Sequence, residues 1–160
     1  GNPLSLRLTG SMTLSAWINI SANPFDDAAI VGKVGAAGWQ LKTTADTGVR
    51  TAGIQISSNG SDSIQRYGTT VLLPNTWYHI AGVYDAGAQT LNIYVNGVLD
   101  NGLLSGTVPA AQVDSSFNVN IAQRAGLPGT YNFQGRIDEA HIFNHALSAS
   151  EIQIDMVLQR

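Results

Sequence analysis

The 160-residue chain contains no cysteine. That excludes disulfide staples, thiolate metal sites and cysteine nucleophiles. Charge is scarce as well: 12% of the residues are Asp, Glu, Lys or Arg, against roughly 25% in ordinary soluble domains. The formal net charge is −3 and the eight Lys and Arg residues are scattered. Nucleic-acid binding requires clustered positive charge against phosphates, so that class is set aside, and an anionic membrane surface with it. No apolar run approaches the ~20 residues of a membrane-spanning helix, so membrane insertion is not expected. No signal peptide is visible.

Gly, Ser, Thr, Asn and Gln fill the polar quota instead. A surface of neutral hydrogen-bonding groups suits an extracellular or cell-surface protein, or one that meets neutral polar ligands. It also accompanies turn-rich β proteins of any function. The length suits one domain, taken as residues 1–160, with a core large enough to fold without staples.

The hydrophobic period is two almost throughout. Met12, Leu14, Ala16, Ile18 and Ile20 alternate with Thr13, Ser15, Trp17 and Asn19, which predicts a long strand with one apolar face. Further strands are expected over 29–34, 39–43, 51–57, 64–67, 77–84, 90–95, 98–100, 117–123 and 131–143. Many short strands between Gly, Asn, Asp and Pro clusters predict an all-β sandwich or barrel. Asn96-Gly97 supplies the two positive-φ positions of a type I′ hairpin turn. The one expected helix is C-terminal. Ser148 and Glu151 have capping-box spacing, and Leu147 and Ile152 occupy the positions of a hydrophobic staple. Ile152, Met156 and Val157 are expected to dock it, and 158–160 to fray.

Three stretches carry a resemblance. They are Ser11-Met12-Thr13-Leu14-Ser15-Ala16-Trp17-Ile18; Asn75-Thr76-Trp77-Tyr78-His79-Ile80-Ala81-Gly82-Val83-Tyr84-Asp85, followed by Leu91-Asn92-Ile93-Tyr94-Val95-Asn96-Gly97; and Gly135-Arg136-Ile137-Asp138-Glu139-Ala140-His141-Ile142-Phe143-Asn144-His145-Ala146-Leu147-Ser148. In order and separation they resemble the laminin G-like and pentraxin-like branch of the concanavalin A-like superfamily. The resemblance implies a two-sheet antiparallel jelly-roll sandwich with a short C-terminal helix. Relatives carry a strand before the point where this chain begins; either that strand is missing here or Leu4–Leu8 stands in for it. Trp17 and Trp77 recur in the scaffold motifs and are read as structural.

Fold alone does not give function. Retaining glycosidases of this fold place Glu, Asp and Glu at alternating strand positions, and no such run is present. Asp138 and Glu139 are adjacent on a strand and are expected on opposite faces, so they make no carboxylate pair. The resemblance implies calcium at Asp138, helped by backbone carbonyls; a purely structural hydrogen-bonding role is the alternative. Asp26 and Asp27, in the loop Asn23-Pro24-Phe25-Asp26-Asp27, are a second calcium candidate or simply turn residues. Asp46 and Asp114 are loop residues with no motif around them. His79 reads as a structural strand residue with a hydrogen-bond partner, and His141 and His145 have no third zinc ligand.

Sugar recognition needs aromatic faces and hydrogen-bonding groups. Trp39, Arg50, Arg66, Tyr67, Arg124, Tyr131 and Phe133 are candidates at loops or loop edges, with Asn59 and Asp62 between two of the strands. Each aromatic is equally readable as core. The expected function is a non-catalytic carbohydrate-binding or adhesive module, bacterial, extracellular or at the cell surface, within a larger chain. Its partner would be a glycan or an extracellular protein, with calcium as a structural ion. A protein-interaction or spacer domain is the alternative, followed by a glycoside hydrolase.

Overall fold

The computed structural model describes residues 1–21, 25–35, 37–127 and 129–158. Eleven strands are present among them: β1 (Met12–Ile20), β2 (Ala28–Val34), β3 (Gly38–Thr44), β4 (Thr51–Ile56), β5 (Ile64–Gly68), β6 (Trp77–Asp85), β7 (Thr90–Val95), β8 (Val98–Leu99), β9 (Asn101–Ser105), β10 (Asn120–Ile121) and β11 (Gly135–Phe143). They form a five-stranded sheet, β11-β1-β6-β7-β8, and a six-stranded sheet, β10-β2-β3-β4-β5-β9. Every pair of named strands is antiparallel. The expected sandwich and C-terminal helix, α1 (Ala149–Leu158), are both present.

Alternation builds the core. Met12, Leu14, Ala16, Ile18 and Ile20 of β1 are buried with Ile80, Tyr84, Leu91 and Ile93 of the same sheet. Trp39, Leu41, Ala52, Ile54 and Ile56 of the other sheet complete the cluster. Each Leu or Ile so buried contributes roughly 1.5–3 kcal/mol of transfer free energy. Gly82 lies on the inner face of β6, where an added Cβ would stand 2.8 Å from Ile54. The missing side chain lets the two sheets approach there.

The Asn96-Gly97 turn forms as predicted, with φ of 51° and 75°. The Asn96 side chain also accepts from the His79 amide at 2.9 Å. Elsewhere the strand forecasts need correction. The predicted strand 117–123 pairs only at Asn120–Ile121, because Phe117 packs on Gly35 and Ala122 turns to φ 61°. The last strand begins at Gly135, not at Tyr131, which sits at φ 56°. Leu4–Leu6 is a 3-10 turn, so it does not replace a strand. A strand at Asn101–Ser105 was not foreseen. It starts where Asp100 leaves the ladder to accept the amides and hydroxyls of Thr69 and Thr70. Trp77, at the start of β6, is exposed. Alternation also fails across Asp138 and Glu139. A β-bulge sets two residues of β11 against Ala16, with Glu139 at φ 45°.

Helix α1 closes the outer face of the five-stranded sheet. The capping box forms: the Ser148 amide donates to Glu151 at 2.7 Å and the Glu151 amide to Ser148 Oγ at 3.3 Å. Leu147 and Ile152 pack together with Ala81 and Val83. Val157 does not dock; it is exposed. Gln159 and Arg160 lie outside the described residues.

Beneath the helix, the buried Asp155 accepts from Ser15 Oγ at 2.7 Å and meets His79 Nε2 at 3.2 Å and His141 Nδ1 at 2.9 Å. This is the partner expected for His79. Burial alone would raise the Asp155 pKa, but the hydrogen bonds from His79, Ser15 and His141, with the charge of His141, bring it down to about 2. A depressed carboxylate stabilises the fold above its ordinary value and loses that contribution as pH falls through the depressed one. Between pH 5 and pH 2, urea unfolding should therefore show wild type losing on the order of 2 kcal/mol more than Asp155→Asn. Parallel pH profiles for the two proteins would show that this network does not anchor the helix electrostatically.

Candidate functional site

Because Leu41 and Ile54 point inward, their strand neighbours point out. The strand registers place Asn120, Gly32, Gln40, Gln55, Gln65 and Ser105 in one row across all six strands of the larger sheet. Gln40 Nε2 donates to Gln55 Oε1 at 2.9 Å. Gln40 Oε1 and Gln65 Oε1 are buried without a protein donor among the described residues. The next row on this face is Ala29, Lys42, Gly53 and Tyr67.

Lys42 is the hub of that second row. Its ammonium donates to Asp27 Oδ1 at 2.5 Å, lies 3.6 Å from Asp46 Oδ2 and sits 5.7 Å from the Tyr67 ring centre. Burial, a hydrogen bond to Asp46 and the charges of Asp46, Asp27 and Asp26 push the Tyr67 hydroxyl up to about 12. Asp26 braces the neighbouring loops. Its Oδ1 accepts from Ala45 N at 2.6 Å, Asp27 N at 2.9 Å and Arg50 Nη1 at 3.3 Å. Arg50 Nη1 also donates to the Phe25 carbonyl at 2.8 Å.

At this rim lies a cleft of about 330 Å³ lined by Phe25, Asp26, Gly129, Thr130 and Tyr131, within the size range of small-ligand pockets. Phe25 is 50% exposed and Tyr131 half-buried. The Tyr131 carbonyl accepts from Ala29 N at 2.9 Å, and the Arg124 guanidinium lies 5.0 Å over its ring. Arg124 is held in turn by the Gly35 carbonyl at 3.1 Å. Two aromatic side chains thus border a cleft whose polar members are a carboxylate and a hydroxyl.

Of the residues singled out in the sequence, Asp26, Asp27, Arg50, Tyr67, Arg124 and Tyr131 come together at or beside this rim. The others do not. Trp39, expected at a loop edge, is fully buried in the core, and Phe133 joins the same cluster. A tryptophan inside a strand has its face set by parity, and Trp39 shares the parity of Leu41. Arg66 shares that of Ile54 and spends its donors on the carbonyls of Leu91 and Gly102. Asp62 is a turn residue that accepts from Ser57, Ser58 and Asn59. Burial opposes its charged form, yet those bonds, led by Ser58, lower its pKa to about 2. Asp138 is exposed beside Trp17 on the five-stranded sheet, and its Oδ1 accepts from the Glu139 amide. Asn23 and Pro24 lie outside the described residues. Sequence reasoning missed Phe25 as a cleft wall and Lys42 and Asp46 as members of the rim. Lys42 was findable, since it alternates with Leu41 and Thr43 and so must face outward.

Asp26, Asp27 and Asp46 each offer an oxygen within 4.8 Å of the others. Calcium takes six to eight oxygens. Here the Lys42 ammonium already contacts Asp27 and Asp46, and Arg50 contacts Asp26, so calcium would have to displace these cations.

A larger cleft of about 530 Å³ lies between β11 and α1, walled by Phe143, Leu147, Ile154 and Leu158. Its carboxylates are already engaged, Glu151 in the helix cap and Asp155 in the His79–Ser15–His141 network. It offers little to a polar ligand.

Comparison with known proteins bears on this geometry. A family model described as the concanavalin A-like lectin/glucanases superfamily matches residues 2–153. No curated protein matches the chain in sequence. Among solved structures, a candidate carbohydrate-binding protein from Bacteroides ovatus superposes with a TM-score of 0.72 at 23% identity, over 96% of this chain and 42% of that one. The CBM40 of the Ruminococcus gnavus IT-sialidase, bound to α2,3 sialyllactose, gives 0.70 at 13% identity, over 98% and 86%. Domain 4 of the extracellular arabinanase AbnA from Geobacillus stearothermophilus, in complex with arabinotriose, gives 0.62 at 18% identity, over 94% and 68%. At these identities the likeness is one of fold. The chain spans less than half of the Bacteroides ovatus protein.

Proposed function

We propose that this chain, which belongs to the concanavalin A-like lectin/glucanases superfamily, is a non-catalytic carbohydrate-binding module that grips a glycan in the Phe25–Tyr131 cleft. The carrying observation is the pairing of two accessible aromatic side chains with Asp26 and Thr130 around one small cleft. Aromatic faces take the C–H surface of a sugar ring, and the carboxylate and hydroxyl take its hydroxyl groups. Relatives of this fold solved with sialyllactose and arabinotriose support the reading. The neutral polar surface and the longer chains of such relatives support a module of a larger, extracellular or cell-surface bacterial protein.

The non-catalytic part rests on the carboxylates. Glycoside hydrolysis uses two carboxylates flanking the scissile bond. Among the described residues, Asp26 is the one carboxylate that lines the cleft, while Asp27 and Asp46 contact Lys42. Incubation with oligosaccharides should release no reducing sugar. On a glycan array and by calorimetry, Phe25→Ala and Tyr131→Ala should each weaken binding about tenfold, with melting temperatures unchanged. Undiminished binding in both variants would move the site elsewhere, and no binding by folded wild type would favour the protein-interaction alternative.

A calcium ion held by Asp26, Asp27 and Asp46 would compete with Lys42. Ions that bind only the native state raise its melting temperature by mass action. Millimolar calcium should therefore stabilise Lys42→Met more than wild type in a thermal melt. Equal responses, or none in either protein, would remove calcium from this rim.

A further inference from the structure

We infer that the cleft selects a neutral glycan and discriminates against sugars bearing carboxylate, sulfate or phosphate. This inference rests on the carbohydrate-binding reading and concerns the ligand class of that same site. It follows from how charge is layered at the rim. The cations are sunk and the anions are outermost. The Lys42 side chain is 1% exposed, against 27% for Asp27 and 36% for Asp46. Arg50 is 18% exposed, against 56% for Asp26. The numbers of acidic and basic groups nearly balance, but the face they turn to solvent is negative.

Each cation is also committed to protein acceptors. Lys42 serves Asp27 and Asp46. Arg50 serves the Phe25 carbonyl and Asp26. Arg124 serves the Gly35 carbonyl and lies over the Tyr131 ring, while its buried Nε has no hydrogen-bond partner among the described residues. An anionic sugar entering between Phe25 and Tyr131 would meet the Asp26 carboxylate, which lines the cleft, whereas Lys42, Arg50 and Arg124 are not among its lining residues. Like charges brought together at an interface are a strong means of rejecting the wrong partner. A neutral sugar meets no such conflict, because its hydroxyl groups donate to Asp26. The raised pKa of Tyr67, partly due to Asp46, Asp27 and Asp26, is a second sign of the same negative field. The low overall charge of the chain agrees with it.

The test uses ligand pairs that differ in one charged group, on the full chain. Suitable pairs are lactose with sialyllactose, and homogalacturonan with its carboxyl-reduced polymer. Neutral arabinan, xylan and β-glucan oligosaccharides complete the panel. At low salt, neutral ligands should bind, and the acidic member of any bound pair should bind at least roughly tenfold more weakly. Added salt should narrow that gap by screening, and Asp46→Asn, which removes a carboxylate outside the cleft, should narrow it further. Tighter binding of an acidic member than of its neutral counterpart would overturn the inference while leaving the module a carbohydrate binder. A salt-independent gap would overturn its electrostatic basis. Failure of every ligand to bind folded protein would defeat the carbohydrate-binding reading, and this inference with it.

Discussion

The face-to-face packing of two sheets is the constraint from which the rest follows. Successive strand side chains point to opposite faces. Once Met12, Leu14, Ala16, Ile18 and Ile20 are committed to the core against Trp39, Leu41, Ile54 and Ile56, every neighbouring position is committed to an outer surface. The two outer surfaces then meet different fates. That of the five-stranded sheet carries Ala81 and Val83, which need cover and receive it from Leu147 and Ile152. That of the six-stranded sheet carries the buried Gln40, Lys42, Gln55 and Tyr67 and the half-buried Gln65, whose polar groups need partners of their own.

Each outer surface is organised by a buried charge. Under α1 the charge is Asp155, held by one hydroxyl and two imidazoles from three different strands. At the opposite rim it is Lys42, which reaches Asp27 and Asp46 in two different loops. A buried ion is costly unless its partners are in place, so each fixes how the surrounding segments sit. Asp155 ties the helix to the sheet. Lys42, with Asp26 and Arg50, ties the loop at 25–27 to the loop at 45–50, and so positions Phe25 at the mouth of the cleft. Tyr131, on the far wall, is placed by its own positive φ and by Arg124.

This division separates structural from ligand-facing polar chemistry. The histidines, which invite catalytic or metal readings by residue type, are spent differently. His79 and His141 hold the helix, and His145 lies next to it in sequence, beyond the last strand. The polar groups at the rim line a small cleft with an aromatic residue on either side. The outermost of them are acidic.

Much of the scaffold was legible in the sequence. Alternation located the long strands and their apolar faces, Asn96-Gly97 fixed the hairpin turn, and Ser148 with Glu151 fixed the helix start. These signals are local, since strand parity, turn dihedrals and caps depend on residues a few positions apart. Bulges and strand ends were not legible. Glu139, Ala122 and Tyr131 adopt positive φ because of what lies across from them. Trp39 and Tyr131 show the same limit for function, as both are aromatics near Gly residues and one is core while the other borders a cleft. Sequence by itself determined the all-β class and the core faces, because these follow from period, while the jelly-roll sandwich and the lack of a glycosidase triplet were read from the family resemblance. Only the tertiary structure decided that residues near 26, 42, 46, 50, 67 and 131 share one rim, because strand register and loop closure, not spacing along the chain, bring them together.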